Sequence, residues 1–578
     1  MKTIEIPVLI VGDSPVGLCT SILLSHHGVP SLLVERHTGT SLYPKARLVN
    51  TRTMEIFRQC GLEQAIREIS LPPEHSRHAI WARTLAGEEL QRRTIVTAAP
   101  DLSEGVSPTF GCTSSQEVLE PVLLAYVRQC RVGEVRFGSE LTTFVQDDSG
   151  VGATILDREQ GKQMQVRTQY LIGADGAYSR VREVLGIPMV GQVGLGNTMN
   201  ILFQADLSRW VADRSINVCF IQHPESRGLL LAVDDVERWI FQAFYSPATG
   251  QRAEDFTLER CIGLIRTAVG VPDLPVEVLR AAPWSSSARV AARFCQGQIF
   301  LAGDAAHEMP ATGGHSMNVG IQDIHNLAWK LAAVLGGWAG SALLETYGHE
   351  REPVGRWTTE QAMRNLESLR RIGTEDLKED TGLHYSRPEL FHEQGMVFGA
   401  AYESAAVTPD GTTPPKVANP VTEYVPTAHP GCRAPHVWLE RAGQRISTLD
   451  LFRYDVCSPD RQNRYSLVPG GYRSCPDATR SLPGLHGRAG GRPGRSRGKL
   501  GHHLRSGTGR SGAGAARRIC CLALSIQRDE SSTSTPGSAR QCTWRNGDPS
   551  GTIARLRRDM QPDTKSSVRS SGLLRTAR

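Results

Sequence analysis

The sequence predicts an α/β fold in which a parallel sheet with crossover helices is interrupted by a β-rich insert. Three observations predict it. Residues 6–36 read as strand, glycine turn, helix and strand, residues 170–182 as a strand ending in a glycine–aspartate turn before a helix, and residues 297–335 repeat that pattern. Between the last two, residues 195–290 change to short β runs separated by turns.

The first unit begins with the strand Pro7–Val11 and the turn Gly12-Asp-Ser-Pro-Val-Gly17. A helix from Leu18 to Gly28 and a second strand, Ser31–Glu35, follow. Such a turn aims free N–H groups and the positive end of a helix at one point, which suits a phosphate. Glu35, followed by Arg36, falls about twenty residues after the turn, where a carboxylate accepts from ribose hydroxyls. The pattern's second glycine is replaced by Ser14, and Asp13 sets a negative charge beside a doubly negative ligand. Asp13 is expected to weaken binding, and Ser14 either crowds the phosphate or donates a hydroxyl hydrogen bond to it.

In Pro44–Gly61, Met54 and Phe57, with Leu62 just beyond, read as the core side of a surface helix, and Arg52 and Arg58 as solvated. Residues 77–100 read as an exposed β-ribbon. Ser114-Ser-Gln-Glu-Val-Leu starts a helix with Ser as its cap and Glu117 in its first turn. Residues 134–144 and 152–156 read as strands, as does Tyr170 to Ala174, with a helix beginning near Ser179. In the insert, Trp239, Phe241, Ala243 and Tyr245 share one strand face, and Ile240, Gln242 and Phe244 the other. Such a sheet either floors an aromatic pocket or packs on its own helices. The third unit is the strand Ile299–Ala302, a loop with Pro310, Gly313 and Gly314, and an amphipathic helix through Ile321, Ile324, Leu327, Ala328, Leu331 and Val334. Helical periodicity continues to about Leu369.

The 578 residues suffice for roughly two to four domains. The net charge of +6 is unevenly distributed: residues 456–578 hold 23 Lys+Arg against 7 Asp+Glu, a net of +16, which leaves −10 on residues 1–455. No structured groove accompanies the basic excess, so nucleic acid is not an expected partner. Thirteen cysteines without a C-x-x-C pair signal neither a metal site nor a disulfide framework. The N-terminal apolar run is too short and too early for a signal peptide, and no run of ~18 apolar residues exists to span a membrane. A cytoplasmic location is expected.

Gly303-Asp-Ala-Ala-His307, Pro310-x-x-Gly-Gly and Asn318-x-Gly-Ile-Gln-Asp323 resemble the second flavin motif of class A FAD-dependent aromatic hydroxylases. That family includes para-hydroxybenzoate, phenol and aromatic polyketide hydroxylases. The Gly12–Gly17 turn and Gly173-Ala-Asp175-Gly176 match its other two motifs in order, and the resemblance covers about residues 5–455. It implies a Rossmann-like FAD-binding domain of glutathione-reductase type, an inserted β-sheet substrate domain and a truncated thioredoxin-like C-terminal part. The expected domains are 1–190 and 291–370 for FAD, with the ribbon 77–105 reaching the substrate domain, and 191–290 for substrate. Residues 371–455 would be a linker and the start of the thioredoxin-like part. Residues 456–578 would be a basic low-complexity tail, disordered or read out of frame, since the family pattern stops after Phe452.

The resemblance also implies roles. Gly12, Ser14, Pro15, Val16 and Gly17 would receive the FAD pyrophosphate, Glu35 with Arg36 the adenosine ribose, and Gly303 with Asp304 the ribitol. Arg47 would lean over the flavin, Gln116 would contact FAD, and Asp175 would serve both FAD and NAD(P)H. Pro310, Gly313 and Gly314 would face the pyrimidine end, stabilising charge at N1/O2. No catalytic acid or base is named. The implied reaction is hydroxylation of a phenolic or polyketide-type aromatic substrate with NADPH or NADH and O₂, through a flavin C4a-hydroperoxide, by a monomer or homodimer. A catalytically impaired or silent flavoprotein is the alternative, motivated by Ser14, Asp13 and the lost third domain.

Overall fold

The computed structural model describes residues 3–96, 99–234, 237–371, 387–441, 443–452 and 485–486. The tail expected over 456–578 lies outside the described residues, apart from the short strand Leu485–His486.

The central sheet is built on the strand Thr3–Val11, which pairs in parallel with Ser31–Val34 on one side and Gln163–Gly173 on the other. Gly133–Arg136 and Ile299–Leu301 extend it in parallel at the two flanks. The hairpin of Ser139–Asp147 and Gly150–Asp157 joins antiparallel along Gln163–Thr168. Val8 to Val11, Leu32 to Val34, Leu171, Ile172 and Ile299 to Leu301 are all buried. Continuous apolar runs are what a parallel sheet covered on both faces requires. The Pro15–His26 helix packs against both the Gln116–Cys130 and Ser316–Leu335 helices.

A second sheet has the order Glu277–Ser285, Asn197–Gln204, Arg238–Tyr245, Gly228–Ala232, Ile216–Ile221, His78–Ala82, Glu89–Thr94. Phe203, Trp239, Phe241 and Ala243 pack with Cys261, Ile265 and Ala268 of the Leu258–Val269 helix. The Trp239 face therefore packs on the sheet's own helix. The opposite face gathers Trp81, Val218 and Phe220 against Leu48, Leu390 and Phe391, and sets Ile240 beside Tyr43.

Several expectations are corrected. The first helix begins at Pro15 rather than Leu18, because proline's fixed φ suits the first helical turn. The helix at Gln116 has Ser115 at its cap position, but that hydroxyl makes no capping bond. Little of the 77–100 ribbon is exposed: His78–Ala82 pairs in parallel with Ile216–Ile221, Trp81 is fully buried, and Glu89–Thr94 is mostly half-buried. The Ser316–Leu335 helix carries the apolar stripe read from the sequence, but its burial extends well beyond that stripe. It is held between the Pro15–His26 helix and the long Ala342–Arg371 helix, so Asn318, Asp323, Asn326 and Lys330 are buried with its apolar residues.

Arg52 and Arg58 are not solvated either. Glu55, only 1% exposed, accepts from Arg52 at 2.9 Å and from Arg433 Nε at 2.9 Å, with Arg433 Nη2 on its other oxygen. Arg58 makes a two-pronged bond to Asp450, at 2.9 and 3.0 Å. A buried carboxylate needs such partners, and here they come from a segment almost four hundred residues downstream. Among the described residues no helix is long and apolar enough to cross a membrane.

Candidate functional site

Strand register brings the three glycine-bearing turns to one place. Val11 stands opposite Val34 on one side and Gly173 on the other, and Gly173 stands opposite Leu301. The four strands thus end at one level, and Gly12, Glu35, Asp175 and Gly303 leave the sheet together. Open parallel sheets bind ligands beyond such carboxyl ends.

The first turn needs its glycines. Gly12 has φ +102°, and a Cβ there would lie 2.5 Å from the Ala174 carbonyl oxygen. A Cβ on Gly17 would press into the Gly12 carbonyl. Ser14 has φ −48°, open to any residue, and its hydroxyl donates to the Ala174 carbonyl at 3.3 Å. Pro15 opens the helix. Val16 packs beside Gly303 and Gly320, joining the first turn to the third.

Three carboxyl groups meet beneath this turn. Glu35 is 7% exposed and accepts from the backbone N–H of Asp13 at 3.2 Å and of His37 at 2.8 Å. Glu120 is 1% exposed and accepts from Ser41 N–H and Gln116 Nε2, both at 2.6 Å. Burial, then the nearby charges of Glu35 and Glu120, push the Asp13 carboxyl up to about 8. That shift favours the neutral carboxylic acid and so lessens the repulsive charge expected of Asp13.

The remaining residues divide between free and engaged groups. Arg36 is exposed. Arg47 donates through Nη2 to the Asn217 carbonyl and side-chain oxygens at 3.1 and 3.0 Å, tying its loop to the second sheet. Burial lowers its pKa to about 10, so it stays cationic at neutral pH. Gln116 is turned inward, accepting from Ala46 N–H at 3.4 Å while donating to Glu120. Ser114 N–H donates to the Arg47 carbonyl, so these segments run side by side. Along them Arg47 Nη1, Ser114 Oγ, Ser115 Oγ and Glu117 Oε2 are buried without a hydrogen-bond partner, as is Asp13 Oδ2 beneath the first turn. Native interiors rarely leave such atoms unpaired, and an extended polar cofactor fits the vacancy in their hydrogen bonding.

Asp175 uses its carboxylate on its own loop, accepting from Ser179 Oγ at 2.5 Å and Val181 N–H at 3.1 Å to cap the Arg180–Val184 helix. Burial raises its pKa. Arg182 then donates to the Ala177 and Ala305 carbonyls, fastening the second turn to the third. Asp304 is exposed and accepts from Ser316 Oγ at the start of the Ser316–Leu335 helix. Pro310 is buried. Gly313 and Gly314 have φ +107° and +69°, and a Cβ on Gly314 would lie 2.9 Å from the Leu48 side chain. Their N–H groups precede the positive end of a 20-residue helix, a place that stabilises negative charge.

The sequence reading missed the framework behind this edge. Asp323, fully buried, accepts on Oδ2 from Gly303 N–H at 3.3 Å and from His307 Nε2 at 2.7 Å. Its Oδ1 accepts from Arg351 Nε at 2.8 Å, and Arg351 also donates to Tyr402 Oη and the Val319 carbonyl. Burial would raise the Asp323 pKa, but Arg351 and His307 outweigh it and hold the carboxyl low. Asn318 accepts from Asn50 N–H at 2.9 Å and donates to the Leu48 and Gly314 carbonyls at 2.8 Å. His307, Asn318 and Asp323 belong to the motif quoted from the sequence, but that motif gave them no bracing role, and Arg351 and Tyr402 lie outside it.

The family described as "FAD binding domain" matches residues 5–362. A tetracenomycin A2 monooxygenase-dioxygenase of Streptomyces glaucescens is 40% identical over 485 residues, covering 78% of this chain and 81% of that protein. The crystal structure of the flavin-dependent monooxygenase PieE with FAD and substrate is 34% identical, with a TM-score of 0.73 over 78% of this chain and 84% of that one. An aklavinone-11 hydroxylase with FAD and aklavinone is 36% identical, with a TM-score of 0.68 over 78% and 83%.

Proposed function

This chain belongs to the family of FAD-dependent aromatic hydroxylases, and from that premise we propose that its substrate is a fused-ring phenol of polyketide type. It is an oxidoreductase that uses FAD, NAD(P)H and O₂. The relatives named for tetracenomycin A2 and aklavinone support the fused-ring reading.

The observation that carries the assignment of residues is the common register of Val11, Val34, Gly173 and Leu301. On this reading, Gly12, Ser14, Pro15, Val16 and Gly17 receive the pyrophosphate and Glu35 the adenosine ribose, with Arg36 beside it. Asp304 takes the ribitol, while Arg47 and the Gln116 segment line the flavin's path and the Asp175 loop supports flavin and nicotinamide. Bound FAD supplies electron transfer from NAD(P)H and activation of O₂. Gly313 and Gly314 hold negative charge at the pyrimidine end through fixed N–H groups that need no reorganisation. The apolar face of the second sheet keeps water from the reacting ring. We read residues 1–190 and 291–370 as the FAD-binding domain and 191–290 as the substrate domain. The hairpin Trp438–Arg441/Gln444–Ser447 supports reading 371–455 as a linker and the start of a thioredoxin-like part.

Two of the three features that suggested a silent flavoprotein are accommodated. Ser14 occupies an ordinary backbone conformation, and burial with two neighbouring carboxylates pushes Asp13 toward its neutral form. The test is NADPH oxidation by the FAD-loaded enzyme across a panel of monocyclic and fused-ring phenols, with ¹⁸O₂ tracing into product. Stimulation and labelling by fused-ring phenols is the expected result. Oxidation stimulated only by monocyclic phenols would refute the substrate reading.

A further inference from the structure

Asp13 is the one residue in the first turn whose chemistry the proposed function does not use. Asp13 is 9% exposed as a residue, and its Oδ2 is buried without a hydrogen-bond partner. Its own backbone N–H donates to Glu35 Oε2 at 3.2 Å, which draws the two side chains together. Two ionised carboxylates in so dry a place would repel strongly, whereas one proton between them supplies a hydrogen bond. The groups around it leave no other source of compensation. The end of the Ser31–Val34 strand contributes Glu35, which His37 contacts from the exposed side at 2.5 Å, with the His37 ring 65% exposed. The Gln116–Cys130 helix contributes Glu120, itself committed to Ser41 and Gln116 and acted on by Lys45. The Asp175 loop approaches through its backbone, and its carboxylate is committed to Ser179 and Val181. No cation bonds Asp13 directly among the described residues.

We propose that Asp13 is a positioning residue that works as a neutral carboxylic acid, donating its proton to Glu35 and so fixing that carboxylate for the ribose of the bound cofactor. This rests on the reading that the Gly12–Gly17 turn and Glu35 hold FAD. Loss of the proton has two effects of the same sign. It frees Glu35 from its partner, and it sets a second negative charge beside the pyrophosphate. FAD is therefore retained while Asp13 is protonated and released as Asp13 ionises. The position expected to weaken the cofactor site instead makes cofactor retention sensitive to mildly alkaline pH, consistent with the raised Asp13 carboxyl.

The experiment measures the FAD dissociation constant of the full-length apoprotein by quenching of FAD fluorescence, from roughly pH 6.5 to 9, for wild type, Asp13→Asn, Glu35→Gln and Gly12→Ala. Thermal melts at each pH confirm that every variant remains folded. For wild type, the constant is expected to be flat at the acid end and to rise by up to about tenfold per pH unit above the point where Asp13 ionises, since one proton is linked to binding. Asn is a neutral isostere that still donates, so Asp13→Asn is expected to bind within about threefold of wild type at neutral pH and to lack the alkaline rise. A flat wild-type curve, or an equal rise in Asp13→Asn, overturns the proposal. If Glu35→Gln and Gly12→Ala, while folded, leave affinity unchanged, the reading of where FAD sits fails instead.

Discussion

Arg351 Nε donates to Asp323 Oδ1 at 2.8 Å with both side chains essentially removed from solvent, while the carboxylate's other oxygen receives the N–H of Gly303. The turn that precedes Asp304 is thus held from behind by an ion pair. Replacing Arg351 with Met leaves Asp323 buried beside only His307 and the Gly303 N–H, and replacing Asp323 with Ala strands Arg351. Breaking a buried pair from either side costs about 3–5 kcal/mol, to be read from urea denaturation of each variant. Because Asp323 is held below its ordinary range, its contribution is complete above the unfolded carboxylate value of ~3.9 and is lost as pH falls through the folded value. Acid denaturation of Asp323→Asn should therefore be shallower than that of wild type.

The two links from the C-terminal segment to the Thr51–Gln59 helix are expected to differ in strength. Arg433→Ala leaves Glu55, 1% exposed, without its main partner and should cost about 3–5 kcal/mol. Asp450→Ala leaves Arg58, 29% exposed, still paired with Glu63 at 3.0 Å, and should cost about 1 kcal/mol or less. Limited proteolysis within residues 399–452 should accelerate strongly in the first variant and little in the second.

Glycines at positive φ should separate by what surrounds them. Gly12→Ala meets the Ala174 carbonyl and should abolish FAD retention, whereas Gly28→Ala has φ +71° but open space and should cost roughly 1–2 kcal/mol without affecting FAD. Ser14→Gly loses only a 3.3 Å hydroxyl bond and adds chain freedom, costing about 1 kcal/mol with FAD retained. Flavin absorbance after gel filtration, together with thermal melts, checks all three.

Lys330 is fully buried against Glu350 at 2.7 Å. Burial lowers its pKa to about 8, with Glu350 opposing, against ~10.4 for an unfolded lysine. The folded chain thus releases this proton first, and between pH 8 and 10 the lysine's contribution to stability rises with pH by about 1 kcal/mol per unit. The difference in unfolding free energy between wild type and Lys330→Met should move in favour of wild type over that window. A difference independent of pH would show that Lys330 does not titrate there.

Much of the site could be read from the chain. The Gly12–Gly17 turn, the strand Ser31–Val34, the Asp175 turn with its helix capped at Ser179, and the Gly303–Gly314 loop all lie where apolar runs and glycines place them. The readings that failed concern surroundings. Arg58 reads as solvated because its partner, Asp450, lies 392 residues away. His78–Ala82 reads as exposed because its parallel partner, Ile216–Ile221, comes from the insert. Asp13 reads as charged because Glu35 and Glu120 approach it only once strand and helix have packed.

The sequence alone determined the elements, their order and the family, since strand alternation, helical spacing and glycine turns are short-range consequences of local sterics. Only the tertiary structure decided which side chains are charged, paired or buried. Register set Val11 beside Val34 and Gly173, packing enclosed the Asp323–Arg351 pair, and burial raised the Asp13 carboxyl. These depend on dielectric and on distances between groups remote in the chain, and a string of residues does not contain such distances.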